Sequence, residues 1–144
     1  MNANRKRTRK LLFQVIYAKN YNDYNEESFY ESFYNGKFTF KVDKDYIKEI
    51  SVILTEKKPI FNNLIKKFAP KFNIKNMNVI LLIPIYIALC EMFFLKEEIP
   101  GKVSINEAIE LTKYFGDESW KRIVNWILNK VLENFEELQK EIQK

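Results

Sequence analysis

IPGKVSINEAIELTKYFGDESWKRIVNWILNKVLE, residues 99–133, holds two helices together with their start and stop signals. Ser104 and Glu107 spell an S-x-x-E capping box, in which serine caps one orphan amide and glutamate reaches back to another. Val103 and Ala108 flank that cap as the apolar pair of a hydrophobic staple. Ile105, Ala108, Ile109 and Thr112 recur at helical spacing, and Gly116 suits the left-handed residue that ends a helix. Asp117 or Ser119 can cap the next helix. There Val124, Ile127, Leu128, Val131, Phe135 and Leu138 keep one face apolar for about four turns. The stretch therefore reads as a helical hairpin entered through the Pro100-Gly101 turn, with Glu133–Lys144 continuing as a charged tail in which the helix fades.

Working back from the hairpin, Val79–Leu95 (VILLIPIYIALCEMFFL) is the most apolar segment. It falls short of the roughly twenty apolar residues of a membrane span and contains Pro84 and Glu91, so it reads as a buried central helix. Pro84 removes one helical hydrogen bond, which predicts a late start or a kink. Upstream, Asp43 is an N-cap, Val42 and Ile47 can form a staple, and Tyr46, Ile47, Ile50, Ile53 and Leu54 follow at helical spacing. Lys57-Lys58-Pro59 is expected to end that helix, because the residue before proline avoids helical geometry. Pro59 then opens another, carrying Ile60, Phe61, Leu64, Ile65 and Phe68 and closed by Pro70. Asn25 could cap a short helix ending near Gly36. Lys37–Lys41 (KFTFK) alternates like a strand but has no partner, and reads as a loop.

The totals limit the chemistry. A chain of 144 residues is expected to form one domain with a real core. Three glycines and four prolines argue against an all-β fold. The single cysteine, Cys90, excludes an internal disulfide and fits a reducing compartment. Histidine is absent, which leaves no Cys/His zinc site and no histidine acid–base machinery. No acidic cluster suggests a magnesium site. The expectation is a non-enzyme without cofactor or metal. The net charge of +5 has a location: Arg5, Lys6, Arg7, Arg9 and Lys10 meet no acid among the first ten residues, and the remaining basic and acidic residues balance. Such an arm suits nucleic acid, anionic lipid or an acidic protein. It is too short and polar for a secretory signal.

Asn4–Lys19 reads as an amphipathic helix with Thr8, Leu11, Leu12, Val15, Ile16 and Ala18 on its buried side. Arg5, Arg9, Phe13 and Tyr17 are spaced by four along a neighbouring stripe. Cations followed by aromatics on one stripe could hold phosphates and stack on unpaired bases. Alternatively, Phe13 and Tyr17 complete the core while the cations stay in water. In the hairpin's second helix, Arg122, Trp126 and Lys130 are also four apart, away from the apolar face. Trp126 could be a stacking or partner surface, or could pack end-on against another element.

The wording of these segments resembles the NusB family. Its C-terminal signature runs from a proline-bounded turn through V-x-I-N-E-A-[IV]-E-L-A-K-x-[FY] to a V-N-G helix. The resemblance covers Pro100, Val103, Ile105–Leu111, Lys113–Gly116, Val124, Asn125, Leu128 and Lys130. The V-D-x-x-Y start at Val42, the Arg-rich arm, and Phe13–Tyr17 (FQVIY, beside the family's A-x-Q-x-L-Y) add to it. IALCEM keeps Ala88 and Glu91 of the family's L-R-x-A-x-Y-E-L. Cys90 stands for its tyrosine, Tyr86 for its arginine, and Leu81-Leu82 for a polar pair. Family members usually have an aromatic at the position of Ile123 and glycine at that of Trp126.

The resemblance implies an all-α, single-domain bundle of about seven helices that acts in transcription antitermination in the cytoplasm. It would bind boxA-like single-stranded RNA of nascent ribosomal RNA transcripts, jointly with the ribosomal protein NusE, within an antitermination complex on RNA polymerase. Arg5, Lys6, Arg7, Arg9 and Lys10 would hold phosphates, Phe13 and Tyr17 would stack, and Arg122 and Trp126 would join the RNA-facing set. Tyr17, Leu81 and Glu91 would face the protein partner. Five phosphate contacts predict a log affinity falling with log salt at a slope of roughly −3.5. No membrane association is expected, and the apolar excess permits a homodimer. The alternatives are a diverged NusB-fold protein-interaction module, the RNA-binding domain of a ribosomal RNA cytosine methyltransferase, and a membrane-surface protein. The methyltransferase would need a catalytic domain for which the chain has no room.

Overall fold

In the computed structural model of the chain, which describes residues 5–21 and 42–142, the helical periodicities become six α-helices. These are α1 (Arg5–Tyr21), α2 (Lys44–Phe68), α3 (Val79–Phe94), α4 (Gly101–Phe115), α5 (Lys121–Glu133) and α6 (Phe135–Ile142). Single 3-10 turns at Ile74–Asn76 and Glu118–Trp120 join them, and no strand occurs among the described residues. The fold is all-α, as expected. The short helix expected near Asn25–Gly36 and the loop Lys37–Lys41 lie outside the described residues. The chain divides into two compact units, Met1–Ser51 and Val52–Lys144.

The second unit is built around α3. Asn78 caps it, its side chain accepting from the Ile80 amide at 2.9 Å, and every residue from Leu81 to Phe93 is buried. Helices α4 and α5 pack on α3 and on each other, and α6 follows α5 after a break at Asn134. Val124, Ile127, Leu128 and Val131 supply the buried face of α5, and Leu138 and Ile142 that of α6. The Phe93 ring stacks on Phe61 of α2 at 6.5 Å and on Phe135 at 5.1 Å. The C-terminal segment is thus a packed helix and not a fading tail. Lys57 donates to its Ile142 carbonyl at 3.4 Å.

Four local expectations are corrected. Ser104 is not an N-cap: α4 already starts at Gly101 behind Pro100, and the buried Ser104 hydroxyl donates to Glu91 Oε1 at 2.7 Å. A buried carboxylate on α3 needs a donor more than an exposed helix end needs a cap, because orphaned amides at the end can turn to water. Gly116 ends α4 in an extended conformation (φ −118°, ψ −151°), not a left-handed one. Its lack of a side chain matters through space, since a Cβ there would lie 2.8 Å from the Trp120 ring.

Pro59 does not divide two helices but lies inside α2. Its φ is already helical, and only one hydrogen bond is lost. The buried positions Ile47, Ile50, Leu54, Phe61, Leu64 and Ile65 keep one helical phase across it. Pro84 is likewise internal, and α3 starts five residues before it, so the late start is not seen.

Candidate nucleic-acid interface

In the first unit, Thr8 and Arg5 of α1 are committed to the start of α2. Asp43 caps α2, accepting from the Tyr46 amide at 3.0 Å, and its own amide donates to Thr8 Oγ1 at 3.2 Å. The Arg5 guanidinium lies 3.5 Å from the Asp43 carboxylate and 4.3 Å from the centroid of the Tyr46 ring. Arg5 is therefore a structural cation, packed on an aromatic face and paired with a capping acid.

The expected stripe of Arg5, Arg9, Phe13 and Tyr17 does not lie on one outward surface. Arg9 is 2 % exposed and Phe13 3 %, whereas Tyr17 is 38 % exposed. The reason is geometric. A four-residue step exceeds one helical turn by about 40°, so three steps roll the row by about 120°. The row begins beside Thr8, Leu12 and Val15, all buried, and emerges only at Tyr17. The outward row is the one a residue later. Lys6 and Arg7 are exposed, Lys10 and Gln14 are half-buried, and Tyr17 continues their side of the helix. Of the five expected cations Lys6 and Arg7 are thus exposed and Lys10 half-buried, and of the two aromatics only Tyr17 reaches the surface.

In the second unit, Trp126 is half exposed while its indole Nε1 donates to the Phe68 carbonyl at the end of α2, at 2.9 Å. Lys130 stands 4.5 Å from the ring centroid, and Arg122, one turn earlier, is exposed. The end-on packing against another element is therefore present, the indole edge donating to the end of α2, while the residue stays half exposed.

The expected partner residues Leu81 and Glu91 are buried, at 6 % and 0 % exposure, and do not form a surface. Leu81 belongs to the apolar run of α3, and Glu91 is occupied by Ser104. Tyr86 is buried too. Its hydroxyl donates to Asn62 of α2, and burial pushes its pKa up to about 12. Burial and the neighbouring Glu91 charge push the Cys90 thiol well up, so it is not a reactive group. Among the described residues no group of acids and cysteine could hold a metal, and no helix is long and apolar enough to cross a membrane.

The pattern of the NusB family matches residues 6–133, from the outward cations of α1 to the end of α5. The chain belongs to the NusB family. It is similar to the transcription antitermination protein NusB of Clostridium perfringens, 32% identical over 135 residues, covering 92% of this chain and 99% of the relative. The protein of that name from Finegoldia magna is 32% identical, covering 92% and 96%. That from Ruminiclostridium cellulolyticum is 33% identical, covering 90% and 86%. Where this NusB-family chain departs from the family wording, the new side chains have local work. Tyr86 bonds α2, Leu81 and Leu82 are core, and Trp126 ties α5 to the end of α2.

What the sequence reading missed is the structural use of Arg5 and Arg9. Thr8 was the available signal, since a small polar residue among leucines invites a buried hydrogen bond to a neighbouring helix start.

Proposed function

We propose that this protein acts in transcription antitermination, binding boxA-like single-stranded RNA through the outward row of α1 jointly with the ribosomal protein NusE on RNA polymerase. The supporting observation is the side shared by the exposed Lys6 and Arg7, the half-buried Lys10 and the exposed Tyr17, in a chain matched to the NusB family over nearly its whole length. Three cations at helical spacing can follow a phosphate backbone, and a tyrosine ring beyond them offers a base a stacking face. Arg5, Arg9 and Phe13 support that row from below without touching RNA. Tyr17 is the remaining candidate for a contact with the protein partner. The protein works by binding alone, without catalysis or cofactor, in the cytoplasm where its RNA is made.

Fluorescence anisotropy of labelled boxA-like and scrambled RNA, with and without NusE, tests the proposal. The expected result is preference for the boxA-like strand, strengthened by NusE. The second reading is a NusB-fold protein-interaction module, favoured by the loss of an arginine at Tyr86 and the burial of Arg9 and Phe13. It takes over if neither setting shows a preference.

A further inference from the structure

The first turn of α1 is poorly suited to standing alone. It carries Arg5, Lys6 and Arg7 and no acid, at the end of the helix where the macrodipole is itself positive. Arg9 and Lys10 follow four residues after Arg5 and Lys6, so like charges meet along the helix. Asp43 meets this turn with a divided carboxylate. Its Oδ1 accepts from the Tyr46 amide at 3.0 Å and caps α2, while Oδ2 lies 3.5 Å from Arg5 Nη2. Its backbone is divided in the same way. The amide donates to Thr8 Oγ1 at 3.2 Å, and the carbonyl accepts from the Ile47 amide at 3.2 Å. The Arg5 side chain, 11 % exposed, is held between that carboxylate and the Tyr46 ring. One residue thus fastens both ends of the first turn, at Arg5 and at Thr8, and the exposed Lys6 and Arg7 lie between the two attachments.

We propose that Asp43 is a positioning residue for RNA binding: by clamping Arg5 and Thr8 it fixes the turn that presents Lys6 and Arg7 to phosphates. By charge alone, an acid beside a phosphate-binding row is a liability, because it lowers the positive potential and repels the strand. By ordering it is an asset, because a turn already held in helical geometry need not be ordered when the strand arrives. The two effects have opposite signs, and Asp43→Asn separates them. Asparagine caps a helix as well as aspartate does, so α2 keeps its start. The substitution removes the charge that pairs with Arg5 and raises the net positive charge by one. The inference rests on the proposed role of the α1 row, and adds to it a residue that never meets the strand.

The test compares the full chain with its Asp43→Asn variant by fluorescence anisotropy of the labelled boxA-like strand, at low and at raised salt. Amide hydrogen exchange reads the order of α1 in the free protein, through the amides of Arg9, Lys10 and Leu11, whose helical acceptors are the carbonyls of Arg5, Lys6 and Arg7. The expected result is a dissociation constant raised roughly fivefold or more at both salt concentrations. Exchange should quicken at those three amides and stay unchanged in α3. The Arg5→Gln, Asp43→Asn double variant keeps the native net charge and should bind as weakly as the single one. It also carries the test should Asp43→Asn alone fail to fold. Binding as tight as that of the native chain, or tighter, would overturn the proposal and leave the α1 reading standing. Weaker binding with exchange quickened throughout the chain would overturn it in favour of a general stabilising role. Failure of the unsubstituted protein to bind the strand would remove the α1 reading and the proposal together.

Discussion

Helices α1 and α5 carry the same motif in opposite positions. Each has a row of cations and aromatics spaced by four, Arg5-Arg9-Phe13-Tyr17 in α1 and Arg122-Trp126-Lys130 in α5. In α5 the row takes two steps, turns about 80°, and lies opposite the face formed by Val124, Ile127, Leu128 and Val131, so its members stay outside or half-buried. In α1 the row starts within the buried face, beside Thr8 and Leu12, and rolls out of it only at Tyr17, so that Arg9 and Phe13 are sealed inside. Spacing by four therefore reports that residues are neighbours. It does not say which way they point until the centre of the apolar face is known.

The largest expected difference is between the two aromatics of the α1 row. Phe13→Ala should lower stability to urea by about 3–5 kcal/mol, as for a buried aromatic. Tyr17→Ala should cost clearly less, about 1 kcal/mol, because part of its ring lies in solvent although more than half of the side chain is covered. Equal losses would contradict the assignment of one ring to the core and the other to the surface.

The next effect concerns the buried acid of the second unit. Ser104→Ala removes the donor to Glu91 and should cost about 1–3 kcal/mol in the same measurement. A cost of a few tenths would point back to an end cap of little consequence.

Tyr86 gives a pH signature. Its phenol should ionise near pH 12, read at 295 nm, against about 10 for an exposed tyrosine. Because burial raises the folded-state value, this group does not change stability below pH 10. Between pH 10 and 12 the unfolded chain ionises first and stability falls. Ionisation of every tyrosine at 10 in the folded protein would show that Tyr86 is open to water.

The smallest effect returns to α5. Trp126→Phe keeps a ring but loses the hydrogen bond to the Phe68 carbonyl, and should cost about 0.5–1.5 kcal/mol.

Much of the fold was legible because it follows from periodicity. The hairpin at residues 99–133 and the buried run at Val79–Leu95 appear where apolar spacing puts them, and Asp43 caps its helix as its chemistry predicts. Boundaries were less legible where a long-range partner competes with a local one. Ser104 reads as a cap until Glu91 arrives from another helix, and Pro59 reads as a stop although the apolar phase continues through it. The candidate site was half legible for the same reason. The cations of α1 are visible in the sequence, but Asp43 and Tyr46, which claim Arg5, are distant along the chain.

The central claim is that Lys6, Arg7 and Lys10, and not all five N-terminal cations, meet RNA phosphates. The slope of log affinity against log salt for a boxA-like single strand tests it most directly, compared between the native sequence and the Lys6→Ala, Arg7→Ala, Lys10→Ala variant. Three lost phosphate contacts should make the slope shallower by roughly 2. An unchanged slope would contradict the account, because the phosphates would then be held elsewhere.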